Sequence, residues 1–196
     1  MSIVDLSDKA LLTTGADYWS THEVPGLGLP SIRVSDGPHG LRVQDDDNPD
    51  HLGLGRSLPA TCFPPAVTLA SSWDPDLIRS VGMALGREAR PLGVDVVLGP
   101  GIEIKRSPLC GRNFEYYSED PLLTGRLAAA MVEGLQSQGV GACIKHFACN
   151  NQETDRAARQ RRCRRTQPAG DLFTRLRAGD PGCSAVGSDE RVQPHQ

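Results

Sequence analysis

The composition of the chain changes abruptly near Arg156, and this change limits how much of the sequence can belong to one folded unit. Residues 1–156 carry 13 Lys and Arg against 20 Asp and Glu, whereas residues 157–196 carry eight Arg against four acidic residues. The second segment also lacks Ile, Met, Tyr and Trp, and its apolar residues follow no sustained strand or helix period. We therefore expect residues 1–156 to fold and residues 157–196, called the tail below, to be disordered, because the tail cannot bury enough surface to offset its ordering entropy.

Strand patterns and helix patterns alternate before the tail. The predicted strands are residues 31–36, 66–71, 94–101 and 139–150, and the predicted helices are residues 5–13, 75–90 and 119–138. Asp74 and Pro75 favour a helix start with Asp as N-cap and Pro at the first helical position. Strands separated by helical segments indicate an α/β fold with a parallel sheet.

The length of 196 residues falls short of a complete (β/α)₈ barrel, which commonly needs roughly 250 residues. The first residues lack the basic start and the continuous apolar core of a signal peptide. We therefore expect an intracellular location without a membrane partner, while secretion of a longer form stays open. The six cysteines have no CxxC pairing, so we expect thiols and no metal site. The acidic run Asp45–Asp47 is typical of a solvated loop rather than a calcium site.

Several polar side chains stand at the predicted strand ends. A carboxylate flanked by cationic donors can hold a hydroxyl-rich ligand through charge-assisted hydrogen bonds. Taken singly, such residues are more often turn formers, surface ion pairs or structural groups. The candidates are Asp36, Arg42, Arg112, Lys145, His146 and Arg156.

Three segments resemble, in order, the N-terminal barrel motifs of family 3 β-glucosidases: SDGPHGLR, GPGIEIKRSPLCGRNFEYYSEDP and IKHFACNNQETDR. The resemblance covers residues 5–156 and implies an α/β fold, about the first half of a (β/α)₈ TIM barrel. It also implies that the Asp of DGP accepts sugar hydroxyls, while the Arg residues and the Lys-His pair supply donors. The six candidates above thereby become expected glucose contacts, whereas Glu115, Asp120 and the neighbouring aromatic residues are expected to shape the loop. No cofactor is implied.

The reaction implied by the resemblance is retaining hydrolysis of terminal β-D-glucosyl residues, in which two carboxylates lie roughly 5–5.5 Å apart. In the family the nucleophile is an Asp in a Ser-Asp-Trp segment of a later strand, and the acid/base comes from a following domain. No Ser-Asp-Trp segment occurs in this sequence. We therefore expect no catalytic residue in this chain and no turnover, with Asp36 as a substrate contact rather than the nucleophile.

The tail is interpreted as out-of-frame translation. The family pattern after ETDR continues with a segment like RVSADVDERTLREIYLPAFE, whereas this chain continues with RAARQRRCRRTQPAG. Shifting each codon by one base allows Gln160–Thr166 to become S-A-D-V-D-E-R, and later stretches likewise admit the family residues. The Arg-rich run is then an accident of the shifted frame.

Two alternatives stay open at this point. The chain could be a non-catalytic sugar-binding fragment that keeps the pocket between Asp36 and Arg156. The six Arg within residues 156–165 could instead form a nuclear-import or nucleic-acid segment. The favoured interpretation has a β-glucoside or oligosaccharide as partner and no nucleic acid.

Overall fold

A computed structural model describes residues 5–44, 56–147 and 150–154, together with the backbone of residues 187–190. The helices of this part are α1 Leu6–Leu11, α2 Ala66–Ala70, α3 Pro75–Ala89 and α4 Pro121–Gln136. The strands are β1 Val34–Ser35, β2 Val96–Val97, β3 Gly141–Phe147 and β4 Gly187–Glu190. Short 3₁₀ turns lie at Pro25–Leu27, Arg90–Leu92 and Asn113–Glu115. The acidic run at residues 45–47 lies outside the described residues.

The strands form one parallel sheet in the order β1-β2-β3-β4. Val97 of β2 pairs with Ser35 of β1 on one side and with Ala142 of β3 on the other. Val97 and Ala142 are fully buried, so the sheet centre belongs to the core. Helices between β1 and β2 and between β2 and β3 confirm the predicted α/β class, with β1 shorter than the predicted strand at residues 31–36.

The prediction of a strand at residues 66–71 is wrong, because this segment is helix α2. Pro65 stands at its N-cap in an extended conformation, and its carbonyl accepts the N–H groups of Thr68 and Leu69. The buried residues are Ala66, Leu69 and Ala70, a spacing of three and four that suits a helix face. In so short an apolar run, periodicity alone does not distinguish a strand from a helix.

Helix α3 begins where Asp74 and Pro75 predict, whereas α4 begins at Pro121, two residues later than predicted. The Asp74 carboxylate accepts the N–H groups of Asp76 and Leu77, and the Asp120 carboxylate caps α4 in the same way. A Cβ on Gly82 would lie 2.6 Å from the Met131 carbonyl oxygen, and one on Gly134 would lie 2.4 Å from the Arg79 carbonyl oxygen. The two helices therefore meet backbone to backbone at these glycines.

The strand β4 lies within the tail. Its backbone pairs in parallel with the outer edge of β3, with Gly187 opposite Cys143 and Ser188 opposite Ile144. The structure thus differs at these four residues from the expectation of a disordered tail. An open strand edge presents unpaired N–H and C=O groups, and a following segment can satisfy them. The other residues of the tail, including the Arg-rich run, lie outside the described residues.

Two further expectations concern the described part of the chain. No helix there has the length and apolar character needed to cross a bilayer. Cys62 and Cys110 are free thiols, as predicted for them.

Candidate functional site

The C-terminal ends of three neighbouring strands carry the candidate residues. Asp36 directly follows β1, and Lys145 and His146 lie near the end of β3. The segment after β2 runs alongside β3, because the Lys145 N–H donates to the Pro100 carbonyl at 3.1 Å and the Ile102 N–H donates to the Lys145 carbonyl at 2.7 Å. The parallel order therefore brings residues that are far apart in sequence to one edge of the sheet.

Asp36 and Lys145 form an ion pair at this edge. The Lys145 Nζ donates to Asp36 Oδ1 at 2.6 Å, with the lysine side chain 3% exposed and the aspartate side chain 37% exposed. Burial alone would raise the pKa of Asp36, but the Lys145 charge and hydrogen bond, the Gly37 N–H and the Arg42 charge together hold it below its ordinary value. The carboxylate is therefore ionised at neutral pH, with part of its surface open to a ligand.

The turn that follows β1, residues 36–42, is closed by backbone hydrogen bonds and is called the Asp36 turn below. The Arg42 N–H donates to the Asp36 carbonyl at 3.0 Å, and the Gly40 N–H donates to the Gly37 carbonyl at 3.1 Å. Gly37 has φ +109°, and a Cβ there would lie 1.9 Å from the Gly40 carbonyl oxygen. Only glycine fits this position.

The second group of side chains surrounds Arg112. Its Nε donates to Glu115 Oε1, its Nη2 lies 2.8 Å from His146 Nε2, and its Nη1 lies 3.8 Å from Glu153 Oε1. Burial would lower the pKa of Arg112, but the hydrogen bond and charge of Glu115 raise it, so the guanidinium stays charged. The buried Nη1 has no hydrogen-bond partner among the residues that the structure describes and can donate to a ligand.

The hydrogen bonds around His146 determine its tautomer. A guanidinium only donates, so His146 Nε2 accepts from Arg112 and the ring proton of the neutral imidazole lies on Nδ1. His146 Nδ1 is 2.9 Å from the Tyr116 hydroxyl, which also accepts from the Asn150 side-chain amide at 3.1 Å. Burial, followed by the Glu115 charge, raises the pKa of Tyr116, so this phenol stays protonated.

The structure brings together four of the six candidates. Asp36 pairs with Lys145, Arg112 contacts His146, and the two pairs meet at consecutive residues of β3. Arg42 is exposed, and its charge acts on Asp36 as one of the smaller influences on that pKa. Arg156 lies outside the described residues.

The site combines one partly exposed carboxylate with cationic donors at one edge of the sheet. Such a set can accept from and donate to the hydroxyl groups around a sugar ring. Within residues 5–44, 56–147 and 150–154, no group of three or more His, Cys, Asp or Glu is placed to hold a metal ion.

Residues 45–172 match the glycosyl hydrolase family 3 N-terminal domain. This span is well over half of the 196 residues. The chain belongs to glycosyl hydrolase family 3. The match runs past Arg156 into the tail, beyond the point at which the composition changes.

Two members of family 3 are similar to about three quarters of this chain. A thermostable β-glucosidase B of Acetivibrio thermocellus is 58% identical over 148 residues, which are 76% of this chain and 20% of that enzyme. An exo-α-(1→6)-L-arabinopyranosidase of Bifidobacterium longum is 54% identical over 151 residues, which are 77% of this chain and 20% of that enzyme.

A solved structure shows the same fold. The β-glucosidase 3B of Thermotoga neapolitana in complex with α-D-glucose superposes with a TM-score of 0.62 and 51% identity, covering 70% of this chain and 19% of that enzyme. The family 3 chain described here thus spans about a fifth of the length of the relatives that it matches.

Sequence reasoning did not nominate three residues of this candidate site. Tyr116 and Asn150 determine the His146 tautomer, and Glu115 was expected only to shape the loop although it is buried against Arg112. The Arg-x-x-Glu spacing was an available signal, because residues three apart on a helical turn can pair. The contacts of Tyr116 with His146 join segments 30 residues apart and had no local signal.

Proposed function

We propose that this chain is the sugar-binding N-terminal part of a retaining β-glucosidase and forms about the first half of its (β/α)₈ barrel. One observation carries the proposal: the Asp36–Lys145 ion pair and the Arg112–His146 contact meet at the C-terminal ends of parallel strands, where such barrels bind their substrates. In this proposal Asp36 accepts two hydroxyls of a terminal glucosyl residue, and Lys145 and Arg112 donate to others. His146 holds Arg112, and the Arg42 and Arg156 side chains complete the rim.

We propose further that the chain alone binds sugar without hydrolysing it. No Ser-Asp-Trp segment is present, so the attacking carboxylate of the family is missing from these 196 residues. Donors and acceptors for the ring stabilise no oxocarbenium-like transition state by themselves. The activity in this proposal belongs to a longer protein that contains both reacting carboxylates.

Calorimetric titration with glucose tests the binding proposal. We expect the parent chain to bind D-glucose and the variant Asp36→Ala to lose at least about tenfold in affinity, since hydrogen bonds to a charged group contribute about 1.5–3 kcal/mol. Asp76→Ala is the matched control, because the Asp76 side chain is 87% exposed on α3 and belongs to no part of the site. Equal affinities for the parent and Asp36→Ala would contradict the proposal.

L-Arabinose should be titrated in parallel. One relative is an arabinopyranosidase, and L-arabinose differs from D-glucose in two ways: it lacks the exocyclic hydroxymethyl group and has the opposite configuration at C4. Tighter binding of L-arabinose than of D-glucose would replace the glucosidase assignment by a pentopyranosidase assignment at the same site.

We propose that the tail arose from a shift of reading frame near codon 156. The abrupt change of charge and the family residues that a one-base shift permits support this. The proposal expects a single-base correction to extend the open frame past residue 196 and to introduce a Ser-Asp-Trp segment. Genomic sequencing tests it: a stop codon soon after the correction would overturn the proposal and restore the nucleic-acid interpretation of the Arg-rich run.

A further inference from the structure

His39 lies in the Asp36 turn and contacts two other parts of the molecule. Its Nε2 accepts the backbone N–H of Ala66 at 3.0 Å, and its carbonyl accepts the N–H of Phe63 at 2.8 Å. Its ring lies tilted against Phe114, with the ring centroids 6.3 Å apart. The residue therefore joins the turn to the start of α2 and to the loop that follows Arg112.

The contact with Ala66 requires one protonation state. A backbone N–H can only donate, so His39 Nε2 carries a lone pair and the neutral ring has its proton on Nδ1. Burial and the Lys145 ammonium lower the pKa of His39 to about 4, against a smaller opposing effect of Asp36. The imidazole is thus neutral throughout the range in which histidines ordinarily titrate.

Helix α2 depends on this contact at its N-terminus. Its N-cap residue is Pro65, which supplies no side-chain hydrogen bond to the first turn. The His39 ring instead supplies the acceptor for the backbone N–H of Ala66. Ala66, Leu69 and Ala70 bury the other face of α2, so the turn is anchored to the core through His39.

We propose that His39 is a positioning residue, which in its neutral form ties the Asp36 turn to α2 and thereby holds the Asp36 carboxylate in place for a sugar hydroxyl. This inference rests on the proposed sugar binding. His39 touches no reacting atom in it and acts through Asp36.

Few charged groups act on the ring. The charges of Asp36 in the turn and of Lys145 in β3 shift the pKa of His39, while α2 contains no titratable side chain. The adjoining segment at residues 61–65 contributes the thiol of Cys62, and the loop that carries Phe114 contributes an ion pair, Arg112–Glu115. Protonation of His39 would remove the Nε2 acceptor of the Ala66 N–H and add a positive charge near Lys145. The hydrogen bond that ties α2 to the turn would then be lost.

The test compares His39→Gln with His39→Ala. Glutamine keeps an acceptor of similar reach and does not titrate, whereas alanine removes the acceptor. At neutral pH we expect His39→Ala to weaken glucose binding about fivefold, as for the loss of one hydrogen bond, and His39→Gln to stay within about twofold of the parent. At about pH 4 the affinity of the parent should fall about twofold further than that of His39→Gln, because half of its His39 is then protonated.

A sugar-free measurement separates this inference from the proposed function. Long-range ¹H–¹⁵N correlation spectra of the labelled chain should show the His39 proton on Nδ1 and no titration of His39 above about pH 5. Circular dichroism at each pH establishes that the variants are folded. A proton on Nε2, an ordinary titration of His39, or equal affinities of the alanine and glutamine variants would overturn the inference. Absence of glucose binding by the parent, with the expected spectra, would instead overturn the proposed function.

Discussion

Replacing Lys145 with Met should weaken both the fold and the site. Removing one partner of a buried ion pair commonly destabilises a protein by about 3–5 kcal/mol. Lys145 is 3% exposed, but Asp36 is 37% exposed and can recover part of its hydration. We therefore expect the free energy of unfolding to fall by about 2–3 kcal/mol at neutral pH, and glucose affinity to fall by about ten- to a hundredfold as charge-assisted hydrogen bonds are lost.

The pH dependence gives a second readout. In the parent the Asp36 pKa lies below its ordinary value, so its stabilising contribution is present above the unfolded-state pKa and is lost as pH falls through the folded-state value. Without Lys145, burial becomes the dominant influence and raises the Asp36 pKa above its ordinary value. The difference in stability between parent and variant should therefore shrink as pH falls below about 5.

Urea unfolding at several pH values and NMR titration of the Asp36 carboxyl group measure these effects. Lys105→Met is the matched control, because Lys105 is a half-buried lysine that donates to the Tyr117 carbonyl at 3.1 Å. The control should lose about 1 kcal/mol and leave the Asp36 pKa unchanged. An unfolding free energy of Lys145→Met within about 0.5 kcal/mol of the parent, with an unmoved Asp36 pKa, would refute the reasoning.

Three further predictions concern the same part of the molecule. The chain should release no product from aryl β-glucosides; turnover above the uncatalysed rate that disappears in Asp36→Ala would contradict this. Gly37→Ala should destabilise the fold by at least about 2 kcal/mol in urea unfolding, because the new Cβ meets the Gly40 carbonyl at a positive φ; Gly111→Ala, whose Cβ meets nothing within 4 Å, should stay near the parent. In a full-length, frame-corrected enzyme, Asp36→Ala should reduce kcat/KM more than Arg42→Ala, because loss of the carboxylate leaves several donors unpaired; equal losses would refute this ranking.

The sequence predicted the elements whose signals are local. Helix α3 carries Asp at the N-cap and Pro at the first position and begins where these residues indicate. The same pair, Asp120 and Pro121, starts α4 two residues later than the sequence analysis predicted. Helix α2 was mistaken for a strand because five apolar or small residues are compatible with both periods. Its helical state depends on Pro65 and on the distant His39 ring, which no local pattern reveals.

The sequence predicted where the site lies but not how its side chains pair. The predicted strand ends placed Asp36 and Lys145 at the same edge of the sheet, and in the structure the two side chains pair although they are 109 residues apart in sequence. The sequence could not predict which polar groups donate hydrogen bonds and which accept them, because this depends on contacts between distant segments. Arg112 donates to His146, so the imidazole accepts, and Tyr116 then has to receive its remaining proton.

The glycine contact between α3 and α4 has a consequence for how the chain acquires its shape. Gly82 and Gly134 bring together two helices whose sequence is complete by residue 136. Contacts of such moderate sequence separation form faster than those that close a longer loop. The helical pair is therefore expected to assemble early, during synthesis, and to offer β3 a preformed surface on which to dock. The Asp36–Lys145 contact can form only after that docking, so the ability to hold a sugar would appear as one of the last events of folding.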